Sequence, residues 1–319
     1  MKNLLLSLVI AGAAQLASAQ EYPTKPVRVI VPFSAGAPID ILFRIISPKL
    51  YESMGQAFIA DNRPGGAGWM ATDAAARAAP DGYTLYIAAV RQLVQTPILH
   101  GKTLFNPSKE FAPIGQVCTG PLVFALHPSL PVKSVKDLVA LAKRRLGQLN
   151  YATGGVGDLN HLLGEMFRLL TGTNIVHVPY KGGGDAVSSV LGGETDMVIS
   201  GVPPLIAHAK AGKLRAIVTS GRNRIPNLPE VPTMAEAGFP DAEVVVWYGL
   251  FAPAATPKRI IDRLNREIVN VMNLPDVRQR YSEQGVDPES NSPEQFAQMI
   301  RDDYARWSKI IPATGIKVE

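Results

Sequence analysis

Short loops of small residues recur in this sequence, each between an apolar run and a segment with helical periodicity. These loops are Ser34-Ala35-Gly36-Ala37, Thr153 to Gly157, Gly182-Gly183-Gly184 and Ser200-Gly201. The first turn of a helix leaves backbone N–H groups unpaired, and small residues let a ligand approach them closely. Together with the helix dipole, such loops can hold a carboxylate or a phosphate. Any one loop could be an ordinary turn or helix cap, but their recurrence favours an anion-binding site.

Motifs for covalent, phosphoryl-transfer or metal chemistry are missing from the sequence. It contains no Gly-x-Ser-x-Gly elbow, no Gly-x-x-x-x-Gly-Lys-Ser/Thr loop and no His-Glu-x-x-His pair. His161 and Glu165 are one helical turn apart and could share a metal, but the five histidines form no tight ligand spacing. The loop Gly154-Gly155-Val156-Gly157 lacks the Gly-x-Gly-x-x-Gly spacing of a dinucleotide site. We therefore expect a binding protein rather than an enzyme, with no metal and no cofactor.

The composition is that of a globular protein that does not bind nucleic acid. Hydrophobic residues make up 46% of the chain and charged residues 18%. The 32 basic residues are scattered among 27 acidic ones, the formal net charge is +5, and no Lys/Arg stripe is present. Cys118 is the only cysteine and lies in an apolar stretch, so we expect a buried, unreactive thiol.

Residues 1–19 have the pattern of a secretory signal peptide. Lys2 precedes an apolar run from Leu4 to Leu16, and Ala17-Ser18-Ala19 offers a cleavage site. The run is too short to span a bilayer core of roughly 30 Å as a stable helix. The sequence predicts cleavage near Ala19/Gln20 and a periplasmic protein; an N-terminal membrane anchor is the alternative.

Apolar runs of strand length alternate with helical periodicity along the rest of the chain. Strands are predicted at 27–31, 58–60, 83–87, 122–125, 150–152, 175–178, 197–199, 214–219 and 244–248. Helices are predicted at 41–50, 72–79, 134–145, 159–170, 186–191 and 256–272, and after the cap Ser292, with an apolar stripe of Phe296, Ile300, Tyr304 and Trp307. The alternation predicts an α/β fold with mostly parallel sheets.

The length of the chain favours two lobes around separate cores. Residues 115–121 and 245–253 mix extended apolar residues with Gly or Pro and are the best crossing points. A chain that crosses out and back leaves both termini in one lobe and a cleft between lobes. We predict a first lobe of residues 20–118 and 249–319 and a second lobe of residues 119–248.

Several motifs together carry a family resemblance over the chain from Tyr22 almost to its end. They are PVRVIVPF at 26–33, DNRPG at 61–65, APDGYTL at 79–85, VPYKG at 178–182, AGKLR at 211–215, LPEVPT at 228–233 and GLFAP at 249–253. With these motifs the chain resembles the Bug family of extracytoplasmic solute-binding receptors, which serve tripartite tricarboxylate transporters. The resemblance implies a two-lobed periplasmic-binding-protein fold, type II-like, with two hinge strands. It also implies a monomeric receptor that delivers a small-molecule carboxylate to membrane permease subunits.

The loops of this chain depart from the pattern of that family. The family's first loop is normally Pro-Phe-x-Ala-Gly-Gly-x-Thr-Asp, which aligns with 32–40 and retains Asp40. Here Pro38 removes an amide donor and Ile39 replaces a hydroxyl. The family's frequent Phe-Asp-Asn after a later strand is Ile199-Ser200-Gly201, so an acidic group is lost.

Two further departures add a cation and an aromatic ring. Arg91 follows the third predicted strand, where small residues and Thr are common in the family, and Trp69 follows the DNRPG motif. Arg presents a fixed fork to a carboxylate, and Trp69 with Ile39 offers apolar surface. A solvated or salt-bridged surface position for Arg91 and lobe packing for Trp69 are the alternatives. We expect an aromatic mono- or dicarboxylate, terephthalate-like, rather than citrate.

The predicted ligand-binding residues are Phe33, Ser34, Ala35, Gly36, Ala37, Asp40, Trp69, Arg91, Gln92, Thr153, Gly154, Gly155, Ser200 and Gly201.

Two other functions fit a two-lobed periplasmic protein. A sensor would present its closed, ligand-bound form to a histidine kinase, and neighbouring permease or kinase genes would discriminate it from a transport receptor. A periplasmic enzyme would need a nucleophile–base pair or a metal, which the sequence lacks.

Overall fold

The computed structural model describes residues 22–65, 68–100 and 107–316. The predicted signal peptide and its cleavage site lie outside these residues. Among the helices of the described residues, none combines the length and the apolar character that a membrane span requires.

The elements of the described chain follow the predicted alternation. The strands are β1 (Val27–Val31), β2 (Phe58–Asn62), β3 (Thr84–Ala89), β4 (Phe111–Leu126), β5 (Asn150–Thr153), β6 (Val176–Pro179), β7 (Met197–Gly201), β8 (Arg215–Thr219), β9 (Val245–Pro253) and β10 (Asp287–Pro288). The α-helices are α1 (Pro38–Met54), α2 (Trp69–Ala76), α3 (Thr96–His100), α4 (Pro107–Glu110), α5 (Val135–Arg144), α6 (Leu159–Thr171), α7 (Gly183–Leu191), α8 (Ile206–Lys210), α9 (Lys258–Met272), α10 (Pro275–Glu283) and α11 (Pro293–Thr314). A π-helix at Arg91–Gln95 and a 3₁₀-helix at Pro240–Ala242 complete them.

Two parallel sets of strands are joined by a pair of antiparallel strands. β1 pairs in parallel with β2 and β3, and β5 pairs in parallel with β6 and β7. Between these sets, β9 pairs antiparallel with β3 and β4, and β4 pairs antiparallel with β7 and β8. The two-lobed α/β fold is confirmed. The sheet is mixed rather than mostly parallel because the chain leaves the first lobe along β4 and returns to it along β9.

The register of β4 against β9 bears on where the lobes divide. Cys118 pairs with Tyr248, and Thr119 pairs with Trp247. The predicted boundaries, 118/119 and 248/249, therefore lie side by side on two hydrogen-bonded strands. This register supports the predicted lobes, whose limits remain a prediction.

Helix caps and apolar stripes follow the sequence closely. Ser134 Oγ accepts a hydrogen bond from the backbone N–H of Asp137, and Ser292 forms the predicted capping box. Phe296 and Trp307 of α11 are buried, but Tyr304 is 39% exposed, so its assignment to the core stripe is wrong. At 3.6 residues per turn, position 304 lies about 80° around the helix from Phe296, whereas position 307 lies about 20° from it.

The lone cysteine lies in the core, as predicted. Cys118 is free and fully buried on β4. Burial raises the pKa of its thiol well above the usual value, which keeps it protonated.

A glycine on β9 lets the C-terminal helix pack against the hinge. A Cβ added at Gly249 would overlap the ring of Phe296.

We expect Gly249→Ala to lower the free energy of unfolding by about 1–3 kcal/mol, because the added methyl overpacks this contact. The measurement is urea unfolding, where the midpoint should fall with an unchanged slope. Gly192→Ala is the matched control, since a Cβ there meets only ordinary contacts from 3.5 Å outwards. An unchanged midpoint for Gly249→Ala would contradict the packing.

Candidate functional site

The carboxyl ends of parallel strands from both lobes open onto one cleft. In the first lobe β1 and β3 end there, and in the second lobe β5 and β7 end there. Open α/β sheets bind their ligands at this edge. The cleft is lined by Phe33, Ala37, Pro38, Ile39, Ala89, Val90, Arg91, Leu122, Gly154, Asp158, Leu159, Asn160, Gly183, Ser200, Gly201, Val246 and Tyr248.

The predicted ligand-binding residues divide into two groups. Those that line the cleft are Phe33, Ala37, Arg91, Gly154, Ser200 and Gly201. Those that lie outside the lining are Ser34, Ala35, Gly36, Asp40, Trp69, Gln92, Thr153 and Gly155. Contact of either group with a ligand stays a prediction.

Arg91 reaches from the first lobe to the second. It begins the π-helix after β3 and is only 5% exposed. Its Nη1 lies 3.5 Å from Asp158 Oδ2, and its Nη2 donates to the carbonyl of Val156 at 3.2 Å. Gly155 has φ +143°, and a Cβ there would lie 3.1 Å from Arg91 Nη2, so glycine suits this position on both counts. The salt bridge foreseen as an alternative exists, but it is buried in the cleft rather than on the surface.

Burial opposes the charge on both members of this pair. It lowers the pKa of Arg91 and raises the pKa of Asp158, and each residue's charge counteracts the shift of the other. Asp158 also caps α6, since its Oδ1 accepts a hydrogen bond from the backbone N–H of His161 at 2.7 Å.

Pro38 extends the first lobe across the cleft. It is the first residue of α1, where its missing N–H would be unpaired in any case. Its ring lies about 3.6 Å from where a Cβ would be on Gly183 or on Gly201, both in the second lobe. The two lobes are therefore in close contact here. At this end of the cleft Pro38 presents its apolar ring, whereas another residue at this position would present a backbone N–H.

Asp40 fixes the loop between β1 and α1 through hydrogen bonds outside the cleft lining. Its Oδ2 accepts from the backbone N–H of Gly36 and from Arg44 Nε, each at 2.9 Å, and its Oδ1 accepts from Asn62 at 2.9 Å. Asn62 also donates to the carbonyl of Phe33 at 3.0 Å. Although burial raises the pKa of Asp40, these hydrogen bonds lower it overall. Asp40 thus fixes the loop that carries Phe33 and Ala37.

The second lobe supplies the polar groups that the first lobe lacks. α7 begins at Gly183 after Gly182, whose backbone is extended and which gives no side-chain cap. A Cβ on Gly183 would lie 3.3 Å from Ser200 Oγ, so the Ser200 hydroxyl faces the start of this helix. Ser200 is fully buried, and its Oγ has no hydrogen-bond partner among the described residues. An unpaired buried hydroxyl beside a helix N-terminus in a cleft marks a place for a polar ligand atom.

A buried network supports the loop after β5. Thr153 Oγ1 bonds both the N–H and the carbonyl of Gly155, and lies 2.8 Å from His177 Nε2. His161 Nδ1 accepts from the backbone N–H of Gly157 at 3.0 Å. The rings of His161 and His177 stack with centroids 3.7 Å apart. Thr153 therefore shapes the loop from beneath rather than lining the cleft.

Trp69 and Gln92, which were predicted as ligand-binding residues, lie outside the cleft lining. Trp69 begins α2 and is half-buried. Gln92 Oε1 accepts from the backbone N–H of Ala89 at 3.1 Å, and its Nε2 would be 2.8 Å from a Cβ on Gly68. Gln92 thus packs the π-helix against the start of α2.

Other lining residues had not been predicted as ligand contacts. Leu122, Val246 and Tyr248 belong to the hinge strands β4 and β9. The sequence does not distinguish them from residues of the hydrophobic core, because apolar residues on a strand are expected in either place. Asp158, at the start of the helix that follows the Thr153 to Gly157 loop, had not been predicted as a ligand contact either. Its pairing with Arg91 joins positions far apart in sequence, and no local pattern signals it.

The residues weighed as a metal site have other partners. Glu165 accepts from the hydroxyl of Tyr151 at 2.9 Å and from Arg168 Nε at 2.8 Å. Within residues 22–65, 68–100 and 107–316, no group of three or more His, Cys, Asp and Glu side chains could hold a metal ion.

Comparisons with known proteins agree with this architecture. The model of the tripartite tricarboxylate transporter receptor family matches residues 42–316. Protein BugT of Bordetella pertussis is 35% identical over 317 residues, which cover 98% of this chain and 96% of BugT. Rpa4515 of R. palustris, solved with adipate, has a TM-score of 0.90 at 32% identity and covers 93% of this chain and 99% of its own. MatC of Rhodopseudomonas palustris, solved with malate, has a TM-score of 0.85 at 28% identity, with 91% and 100% covered.

The stacked histidines predict acid sensitivity. Burial lowers the pKa of His161 to about 4, with Glu165 opposing the shift and Arg91 adding to it; burial and then His161 lower the pKa of His177 to about 3. Both pKa values lie near 6.5 in an unfolded chain. The unfolded state therefore binds protons first, so stability is complete above about pH 6.5 and falls as the pH drops towards 3.

The measurement is urea unfolding at pH 7.5, 6.0 and 5.0. His177→Gln should flatten the loss of stability with acid, while His127→Gln should leave it unchanged, because His127 bonds Ser129 away from the cleft. Equal slopes for His177→Gln and the unaltered protein would contradict the role of the pair.

Proposed function

The chain belongs to the tripartite tricarboxylate transporter receptor family, and from this membership we propose that its cleft captures a small carboxylate with an aromatic body. Proteins of this family are solute-binding receptors that work with membrane transporter components. The proposed role is to carry the ligand to the permease subunits of such a transporter. The proposed location is the periplasm, reached through residues 1–19, and the proposed acting form is a monomer.

The composition of the cleft lining is the observation that carries the ligand class. Phe33, Ile39, Leu122, Val246 and Tyr248 present rings and branched hydrocarbon. A flat ring buries well between such surfaces, whereas the several charged groups of citrate would lose their hydration without compensation. Adipate and malate, found with Rpa4515 and MatC, support the carboxylate class in related proteins.

The polar groups for one carboxylate lie in the second lobe and at Arg91. The Ser200 hydroxyl and the first amides of α7 form one side. Arg91 comes from the first lobe, and its guanidinium reaches Asp158 and Val156 of the second lobe. Since a guanidinium carries five N–H donors, Arg91 keeps donors beyond those aimed at Asp158 and Val156. A bound carboxylate would thus contact both lobes, which is what a ligand needs in order to favour the closed state.

A ligand panel tests the proposal directly. In a thermal-shift assay we expect aromatic carboxylates to raise the melting temperature, benzoate and nicotinate more than terephthalate and phthalate, because a ligand at about 100 times its Kd adds about 2.7 kcal/mol. Citrate, succinate, adipate and glutamate should have smaller effects. Methyl benzoate, which has the ring without the charge, is the control and should have none.

The outcomes of this panel separate the parts of the proposal. If only aliphatic or amino acids shift the melting temperature, the aromatic assignment is wrong and the receptor function stands. If no carboxylate shifts it, the carboxylate assignment is wrong.

The unpaired Ser200 hydroxyl predicts a loss of affinity without a loss of stability. Ser200→Ala should weaken binding of the best panel ligand about tenfold or more, since one net hydrogen bond to a charged group is worth ~1.5 kcal/mol. The unfolding midpoint should not fall, because the hydroxyl has no partner to lose within the described chain. Thr219→Val is the matched control: its Oγ1 is also buried and unpaired there, but it lies outside the cleft lining. An affinity unchanged by Ser200→Ala would remove this residue from the site.

A further inference from the structure

The charges in the cleft already balance before any ligand binds. Among the described residues that line it, Arg91 and Asp158 are the charged ones, and each is 5% exposed. Their side chains approach to 3.5 Å. The guanidinium that could neutralise a ligand therefore has a carboxylate neighbour supplied by the protein.

Asp158 is held firmly in this position. One carboxylate oxygen caps α6, and the other faces Arg91 and lies 3.2 Å from where a Cβ would be on Gly154. Burial in the cleft wall leaves little of the Asp158 side chain in contact with bulk water. A ligand carboxylate that binds the Arg91 guanidinium would therefore lie close to the Asp158 carboxylate.

A second ligand carboxylate would find no further cation among the described residues of the lining. One carboxylate can use the Ser200 hydroxyl, the α7 amides and the remaining Arg91 donors. Another would lie against hydrocarbon such as Ile39 and Val246, or beside Asp158, and an uncompensated buried charge is costly. Lys181, which precedes the α7 loop, is exposed and is not part of the lining.

We propose that Asp158 is a specificity-determining residue, which restricts the cleft to ligands with a single carboxylate on an apolar body and rejects the corresponding dicarboxylates. This inference rests on the proposed carboxylate-binding function and narrows it. It sets this chain apart from Rpa4515 and MatC, which were solved with the dicarboxylates adipate and malate.

A pair of ligands of nearly equal shape tests the inference without any substitution. Terephthalate and its monomethyl ester share the ring and its para substituents, but they carry two carboxylates and one, respectively. By isothermal titration calorimetry at pH 7.5, the monomethyl ester should bind the purified protein at least tenfold more tightly. Benzoate against terephthalate, and hexanoate against adipate, should show the same order.

A substitution at Asp158 tests the cause. Asp158→Asn keeps the size of the side chain and a capping oxygen for α6 while it removes the negative charge. It should lower the ratio of the terephthalate Kd to the monoester Kd by tenfold or more. Asp137→Asn is the matched control, because it removes the same charge from an exposed position in the first turn of α5, outside the cleft lining. Its ratio should equal that of the unaltered protein.

Each result decides between the claims. If terephthalate binds the unaltered protein as tightly as its monoester, the inference is overturned while carboxylate binding stands. If Asp158→Asn folds and leaves the ratio unchanged, Asp158 is not the determinant. If Asp158→Asn does not fold, the ester comparison alone decides. If no carboxylate of either charge binds, the proposed function fails, and this inference fails with it.

Discussion

The antiparallel pairing of β4 with β9 is the constraint on which the rest of the structure depends. These strands carry the chain out of the first lobe and back into it, and each also pairs with strands of its neighbouring set. Their position fixes which strand ends face each other, β1 and β3 on one side and β5 and β7 on the other. The loops at those strand ends can therefore form one site although they are far apart in the sequence. The hinge strands also give the site its floor, through Leu122, Val246 and Tyr248.

In the cleft, the first lobe supplies mainly apolar surface and the second lobe supplies most of the polar groups. Pro38 and Ile39 replace donors with hydrocarbon, and Asp40 is fully engaged in holding its own loop. The second lobe offers the Ser200 hydroxyl, the amides of α7 and a Thr153–histidine network that stiffens the loop above it. Arg91 is the exception in the first lobe, and its partners Val156 and Asp158 belong to the second.

The sequence predicts what local patterning determines. Alternating strand and helix periodicity gives the fold class, cap residues such as Ser134 and Ser292 give helix starts, and small-residue loops give the sheet edge where the cleft lies. It does not predict contacts between distant positions. Arg91 could be foreseen as a cation near the ligand, but not as the partner of Asp158. The π-helix that aims Arg91 has no sequence signature. Trp69 is half-buried at the start of α2, which the departure from the family pattern alone could not indicate.

The Arg91–Asp158 pair also bears on how the lobes close. In the closed arrangement both charges are buried, and their attraction is largely offset by the hydration that they give up. On opening, both would regain water, so the pair by itself holds the lobes together only weakly. In the proposed function, a ligand carboxylate would change this balance, since it would add charge-assisted hydrogen bonds that exist only while both lobes contact it. A ligand with one carboxylate gains these bonds and buries its ring. Under the proposed specificity, a ligand with two carboxylates would also bury a charge that no residue of the described lining neutralises, so it would favour the closed state less.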